Sequence, residues 1–140
     1  MKNSERFGGD SVQAEDIARL RELCAAGVNY LSLTGGQAAQ LFGISEATFS
    51  RHRKTFQFVR PDRIKIWEIA IIFSQIYRNT RRLFFVPRKG KFWHFTYSHE
   101  LGNAPIDMLS KFETLLALND YLEKRVAAKK VSKYETFNYS

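Results

Sequence analysis

The chain has 140 residues with an apolar share of 44%, enough for one compact domain or for a small domain with a helical appendage. Its longest apolar run, residues 69–73, is too short to span a bilayer, and its polar start lacks the apolar stretch of a signal peptide. A single cysteine cannot form an internal disulfide, so we expect a cytoplasmic protein with no membrane partner.

The net charge of +8 is concentrated in the middle of the sequence. Residues 45–99 contain twelve basic and three acidic side chains, whereas residues 1–44 and 100–140 are close to neutral. Solubility does not require positive charge to be clustered in one part of the chain, but binding a polyanion on one face does. The charge pattern therefore favours nucleic acid as the partner, and we expect the protein to be nucleoid-associated.

The first predicted helix follows a flexible tail at residues 1–9. Asp10 or Ser11 can cap this helix, and Gly27 and Asn29 are expected to end it. Its apolar side chains recur at helical spacing, at Ile17, Leu20, Leu23 and Cys24.

Two short helices separated by a glycine come next. Thr34 begins the first, over 35–42, and Gly43 ends it because glycine readily adopts the positive φ of a tight turn. Ser45 caps the second, from residue 46 to about 55. The expected contacts between the two helices are made by Ala38, Ala39, Phe42, Ile44 and Phe49.

The outward face of the second of these helices carries small, polar and basic side chains, as a helix that enters a major groove requires. Arg51 is predicted to read a guanine, and Lys54 to contact a phosphate. The residues predicted to bind DNA here are Ser45, Glu46, Ala47, Ser50, Arg51, Arg53 and Lys54.

A short hairpin is predicted after this helix. Residues 56–58 and 64–66 alternate apolar and polar side chains, and a type I turn with Pro61 at its second position lies between them. In a winged DNA-binding domain, a hairpin of this kind forms the wing beside the recognition helix. Its long basic side chains reach phosphates or the minor groove. The predicted DNA-binding set is completed by Arg60, Arg63 and Lys65.

The remaining elements form a helical and β-hairpin extension. Residues 67–78 are apolar nearly all round, which predicts a central helix. A second hairpin is expected from residues 83–86 and 92–97, and a long helix from 105–130 with Pro105 in its first turn. The last ten residues show no clear period and are predicted to be a tail.

The segment YLSLTGGQAAQLFGISEATFSRHRK, residues 30–54, resembles the start of the helix-turn-helix in the MerR/excisionase-like winged-helix group. The shared pattern is a short apolar lead, a helix with paired small residues, and a glycine–apolar–serine turn. The resemblance covers residues 28–78. It implies a mainly helical α+β fold in which a wing and a further helix follow the recognition helix.

We therefore expect a winged helix-turn-helix domain at residues 10–78, an oligomerisation extension at 79–130 and a tail at 131–140. The predicted homodimer interface is the wide apolar face of the last helix, because DNA readers this small usually need two copies. The alternative for that face is packing within the chain. Its apolar residues are Met108, Leu109, Phe112, Leu115, Leu116, Leu118, Leu122 and Val126.

Two other segments have functional alternatives. The segment KFWHFTY, residues 91–97, combines basic and aromatic side chains. The bases of a single-stranded nucleic acid could stack on its rings, although a core strand has the same composition. His94, His99 and Glu100 match no metal-binding spacing. His52 is expected to be a half-buried core residue.

The expected function is sequence-specific duplex DNA binding, most simply for transcription regulation. The alternatives are an architectural or packaging role of the excisionase or small-terminase type, or single-strand binding. No phosphate loop, nucleophile motif or catalytic carboxylate pair is present in the sequence, so we expect neither an enzyme nor a cofactor, metal or small-molecule ligand.

Overall fold

The computed structural model of the protein describes residues 13–139, with side chains through residue 130. The predicted tail at residues 1–9 and the predicted caps Asp10 and Ser11 lie outside the described residues. The described chain is mainly helical. Its α-helices are Ala14–Leu31 (α1), Gly35–Phe42 (α2), Glu46–His52 (α3), Ile64–Leu83 (α4), Pro87–His94 (α5) and Phe112–Tyr139 (α6), with a 3-10 helix at Pro105–Met108.

The chain divides into two compact units, with the division between Ser74 and Gln75, inside α4. Unit 1 contains α1, α2, α3 and the first half of α4. Unit 2 contains the second half of α4, α5, the 3-10 helix and α6. None of the helices in the described part of the chain is long and apolar enough to cross a membrane.

Helix α1 is longer than the sequence predicts. The backbone amide of its N-cap, Gln13, donates to the Asp16 carboxylate at 3.4 Å, and the helix continues through Gly27 and Asn29, which were wrongly expected to end it. Val28 and Leu31 are buried and extend the apolar face of the helix. Their packing outweighs the cost of about 1 kcal/mol for a glycine inside a helix.

The core of unit 1 is an aromatic cluster. The rings of its five phenylalanines contact one another with centroids 5.1–6.0 Å apart, and all five side chains are buried. Its members are Phe42, Phe49, Phe56, Phe58 and Phe73. Phe56 adopts a φ of 54°, so packing holds a bulky residue in a conformation that normally favours glycine.

The predicted wing hairpin is wrong, because residues 64–66 belong to α4 and residues 56–63 form a loop. Ile66 is buried at helical spacing with Ile69, Ala70 and Phe73, so burial of a helix face outweighs a three-residue alternation. The turn within the loop is confirmed: the amide of Arg63 donates to the carbonyl of residue 60 at 3.0 Å.

The predicted second hairpin is also wrong. Residues 87–94 form α5, with Pro87 in the first turn, where its fixed φ suits a helix and its missing amide costs nothing. The buried His94 contacts Thr80 of α4 at 2.9 Å and attaches α5 to the core of unit 2. Among the described residues, β pairing is limited to one isolated antiparallel bridge between Ser98 and Asn103.

The last predicted helix is divided in two. Pro105 begins the 3-10 helix, and α6 begins at Phe112 and continues past residue 130. The apolar face predicted to form a dimer interface is largely buried within the chain, which removes the main argument for that interface. Its buried members are Met108, Leu109, Leu115, Leu118, Leu122 and Val126.

Candidate nucleic-acid interface

Helices α2 and α3 form a tight helical pair in unit 1. The Thr34 hydroxyl accepts from the Gln37 amide at 3.0 Å, while the Gln37 side chain accepts from the Thr34 amide at 2.9 Å. This reciprocal capping box fixes the start of α2. The predicted extent of α2 is confirmed.

The turn between the helices is also as predicted. Gly43 has a φ of 71°, and the amide of Ile44 donates to the Ala39 carbonyl at 3.0 Å. The Ser45 hydroxyl then accepts from the Thr48 amide at 3.0 Å and caps α3. Because Phe49 is the buried residue of α3, the opposite side of this helix faces outward.

Each of the ten side chains predicted to bind DNA is exposed. Ser45 caps α3, and Glu46, Ala47, Ser50 and Arg51 lie on it. The other five lie beyond it. Arg53 and Lys54 follow the end of α3, Arg60 and Arg63 are in the loop, and Lys65 is in the first turn of α4.

Arg51 and Lys54 combine exposure with the absence of internal partners. Among residues 13–130, neither side chain forms a hydrogen bond or an ion pair. Both charges are therefore available to a ligand without first breaking an internal contact.

Two of the predicted residues on and near α3 have internal partners. The guanidinium of Arg53 lies over the Phe49 ring, 5.2 Å from its centroid. The Glu46 carboxylate turns back towards α2, so that a Cβ on Gly36 would lie 3.0 Å from its Oε2. A carboxylate there interacts favourably with the positive end of the α2 dipole. Both side chains are therefore less available to DNA than the pattern predicts.

Arg60 also has an internal partner. Its guanidinium donates to both carboxylate oxygens of Asp62, at 3.0 and 2.8 Å, and holds the pKa of Asp62 below its usual value. The Arg60–Asp62 ion pair neutralises part of the positive charge of the loop. Arg63 forms no ion pair within the described part of the chain.

A polar cleft of about 440 Å³ lies beside α3, within unit 1. Arg21 is anchored in its wall by a hydrogen bond from Nε to the Val59 carbonyl at 3.0 Å, which fixes the plane of the guanidinium. The residues lining the cleft are Arg21, Thr48, His52, Gln57, Phe58, Arg60 and Arg63.

The charge of this cleft is not balanced. It contains three arginines, and the one carboxylate that pairs with them among the described residues is Asp62, on Arg60. Arginine forks match the oxygens of phosphate. The arrangement can therefore bind an anionic group close to α3.

Sequence reasoning missed Arg21 and Thr48 as parts of this cleft. Arg21 lies on α1, in the one third of the sequence with a net negative charge, and only the tertiary fold brings it next to the loop. His52 was expected to be half-buried in the core; it is half-buried, but it lines the cleft.

No protein-family model matches this chain, and a comparison with curated proteins finds no similar sequence. The resemblance to the MerR/excisionase-like group stays a prediction. The features of the structure that bear on function are the α2–α3 pair, its exposed basic side chains and the neighbouring cleft.

Proposed function

We propose that the protein binds duplex DNA in a sequence-specific manner, with α3 in the major groove. The observation that carries this proposal is a glycine-turned helical pair whose outer face is exposed and borders a cleft with unbalanced arginine charge. A helix-turn-helix places the N-terminal part of its second helix against base edges in this way.

The proposed division of labour follows from the position of each side chain. Arg51 reads a guanine, because its planar fork matches the O6 and N7 acceptors of that base. Lys54, which follows α3, binds a phosphate and carries no sequence information. The residue 56–63 loop takes the place of a wing, and Arg63 and Arg21 hold a backbone phosphate in the cleft.

The biological use that we propose is transcription regulation by two copies on adjacent half-sites. One short helix buries too little surface for tight specific binding, whereas two copies double the contacts. Since the apolar face of α6 is largely buried within the chain, the two copies would meet through other residues or only on the DNA.

The test is selection of bound duplexes from a random pool, followed by anisotropy measurements on the enriched duplex and a scrambled one. We expect one enriched motif, bound at least ~10³-fold more tightly than the scrambled duplex at physiological salt. Ser50→Glu, which adds a carboxylate to the exposed face of α3, should abolish this binding. The matched control is Gln40→Glu, on the exposed surface of α2.

Gln40→Glu should keep the wild-type preference because it makes the same charge change away from the proposed groove-facing side. Failure to enrich a motif, or equal loss of binding in the two variants, would contradict the proposal.

A further inference from the structure

Unit 2 exposes large aromatic side chains around α5, which packing within the chain does not explain. Phe85 is 93% exposed and Phe92 is 70% exposed. Tyr97 and Phe95 are also exposed, immediately after the helix. Several large exposed apolar side chains within one short segment are uncommon on a monomer and indicate a binding surface.

One of them, Phe92, lines a groove of about 600 Å³ with mostly apolar walls. Its Trp93 ring stacks on Tyr121 with an interplanar angle of 7° and a centroid separation of 6.2 Å, and contacts the ring of Phe84 at 5.8 Å. The aromatic wall of the groove is therefore held in place by ring contacts with Phe84 and Tyr121 of unit 2. The groove is lined by Phe84, Arg88, Lys89, Phe92, Trp93 and Thr96.

The segment of the chain that lines the groove carries charge of one sign, and Glu100, which lies outside it, pairs with Arg125. Between Glu68 and Glu100 the sequence contains no acidic residue. The six basic residues of this interval are Arg78, Arg81, Arg82, Arg88, Lys89 and Lys91. A second copy facing the same surface would bring like charges together, so the charge favours an anionic partner over self-association.

We propose that this aromatic–basic surface, which consists of the groove and of the exposed aromatic residues that flank it in the sequence, Phe85, Phe95 and Tyr97, binds single-stranded nucleic acid. Bases stack on Phe92 and Trp93, while Arg88 and Lys89 at the groove bind the phosphates. A single strand offers free base faces, whereas the bases of a duplex are already stacked on one another.

An anionic lipid surface would also attract the basic side chains. The composition of the exposed apolar side chains, however, favours nucleobases. Its exposed apolar side chains are aromatic rings, with Val86 as the aliphatic exception. Flat rings beside cations are the arrangement that stacking proteins use for bases and phosphates together. This site goes beyond the proposed duplex binding, because it uses unit 2 and a different form of nucleic acid.

The test measures binding of labelled oligo(dT) to the full chain by anisotropy, with fluorescence of the tryptophans as a second signal. We expect Phe92→Ala to weaken binding about 5- to 150-fold, the range for loss of one stacked base. The variant should keep the wild-type unfolding temperature because Phe92 is exposed. The matched control, Leu116→Ala, removes an exposed apolar side chain from α6 and should leave oligo(dT) binding unchanged.

Ser50→Glu separates this proposal from the proposed duplex binding, since it should abolish duplex recognition and leave oligo(dT) binding intact. Absence of oligo(dT) binding, or equal affinities of wild type and Phe92→Ala, would overturn the single-strand site. Loss of oligo(dT) binding in Ser50→Glu alone would place the strand on unit 1 and overturn it too. Binding to phosphatidylserine vesicles but not to oligo(dT), reduced by Phe92→Ala, would assign the surface to lipid instead.

Discussion

Replacing His94 with glutamine removes a buried imidazole that the fold keeps uncharged. Its Nε2 lies 2.9 Å from the Thr80 hydroxyl, and that hydroxyl donates its own proton to the Ile76 carbonyl at 2.8 Å. Thr80 must therefore accept a hydrogen bond from Nε2–H, which assigns the tautomer from the network. Nδ1 is buried without a hydrogen-bond partner among the described residues.

Burial lowers the pKa of His94 from 6.5 to about 4 because the imidazolium would lose its hydration inside the protein. In the unfolded chain the ring takes up a proton near its ordinary pKa, whereas the folded chain resists protonation until pH falls much further. The neutral ring's contribution to stability is therefore fully present above pH ~6.5. It is lost as the pH falls towards the folded pKa, at about 1.4 kcal/mol per pH unit and roughly 3 kcal/mol in all.

The assay is urea unfolding followed by circular dichroism at several pH values. Between pH ~6.5 and ~5, wild type should lose about 2 kcal/mol more unfolding free energy than His94→Gln. The matched control is His99→Gln, which replaces an exposed histidine and should follow the wild-type profile. Parallel pH profiles for wild type and His94→Gln would refute the reasoning.

Two further predictions concern unit 1. Phe49→Ala should lower the unfolding free energy by about 3–5 kcal/mol in urea titrations, because it deletes a buried ring of the aromatic cluster. The folded fraction of this variant should keep the wild-type preference between duplexes, and a loss below about 1 kcal/mol would contradict the packing. Arg21→Ala should reduce the slope of log affinity against log salt by about 0.9, the value for one lost phosphate contact. Arg19→Ala, exposed on the same helix, should leave the slope unchanged, and an unchanged slope in Arg21→Ala would remove the cleft from the interface.

The helical pair was predictable because its signals are local. Thr34, Gly43 and Ser45 act on amides a few residues away, so a capping residue and a turn glycine can be recognised without the tertiary fold. Exposure of the predicted DNA-contacting residues on α3 followed from the same register, since burial of Phe49 fixes which side of α3 faces outward.

The first hairpin was wrong because three alternating residues fit either secondary structure, and burial of Ile66 with Ile69 and Phe73 on one face of α4 favours the helix. The second was wrong because residues 87–91 fit a turn, whereas Pro87 begins α5. The helix end predicted at Gly27 was wrong for a similar reason, because apolar residues on both sides of it in α1 are buried.

The internal partners of the site residues were also beyond sequence reasoning. The contact of Glu46 with Gly36 crosses between two helices, and the cleft depends on Arg21 meeting a loop 38 positions later in the chain. Neither contact leaves a periodic or compositional signal. These contacts come from the tertiary fold, whereas charge density in the sequence indicated only the class of partner.

The measurement that tests the central claim most directly compares Arg51→Ala with wild type on the enriched duplex and on a scrambled one. The Arg51 side chain is exposed on α3 and forms no hydrogen bond within the described chain, so its removal should not disturb the fold. We predict a loss of about 1–3 kcal/mol on the enriched duplex, relaxed preference at one base pair, and little change on the scrambled duplex. Lys54→Ala is the matched control and should weaken both duplexes by the same factor, as loss of a phosphate contact does. If Arg51→Ala also weakens both duplexes equally, Arg51 contacts the backbone and α3 does not read the sequence through it.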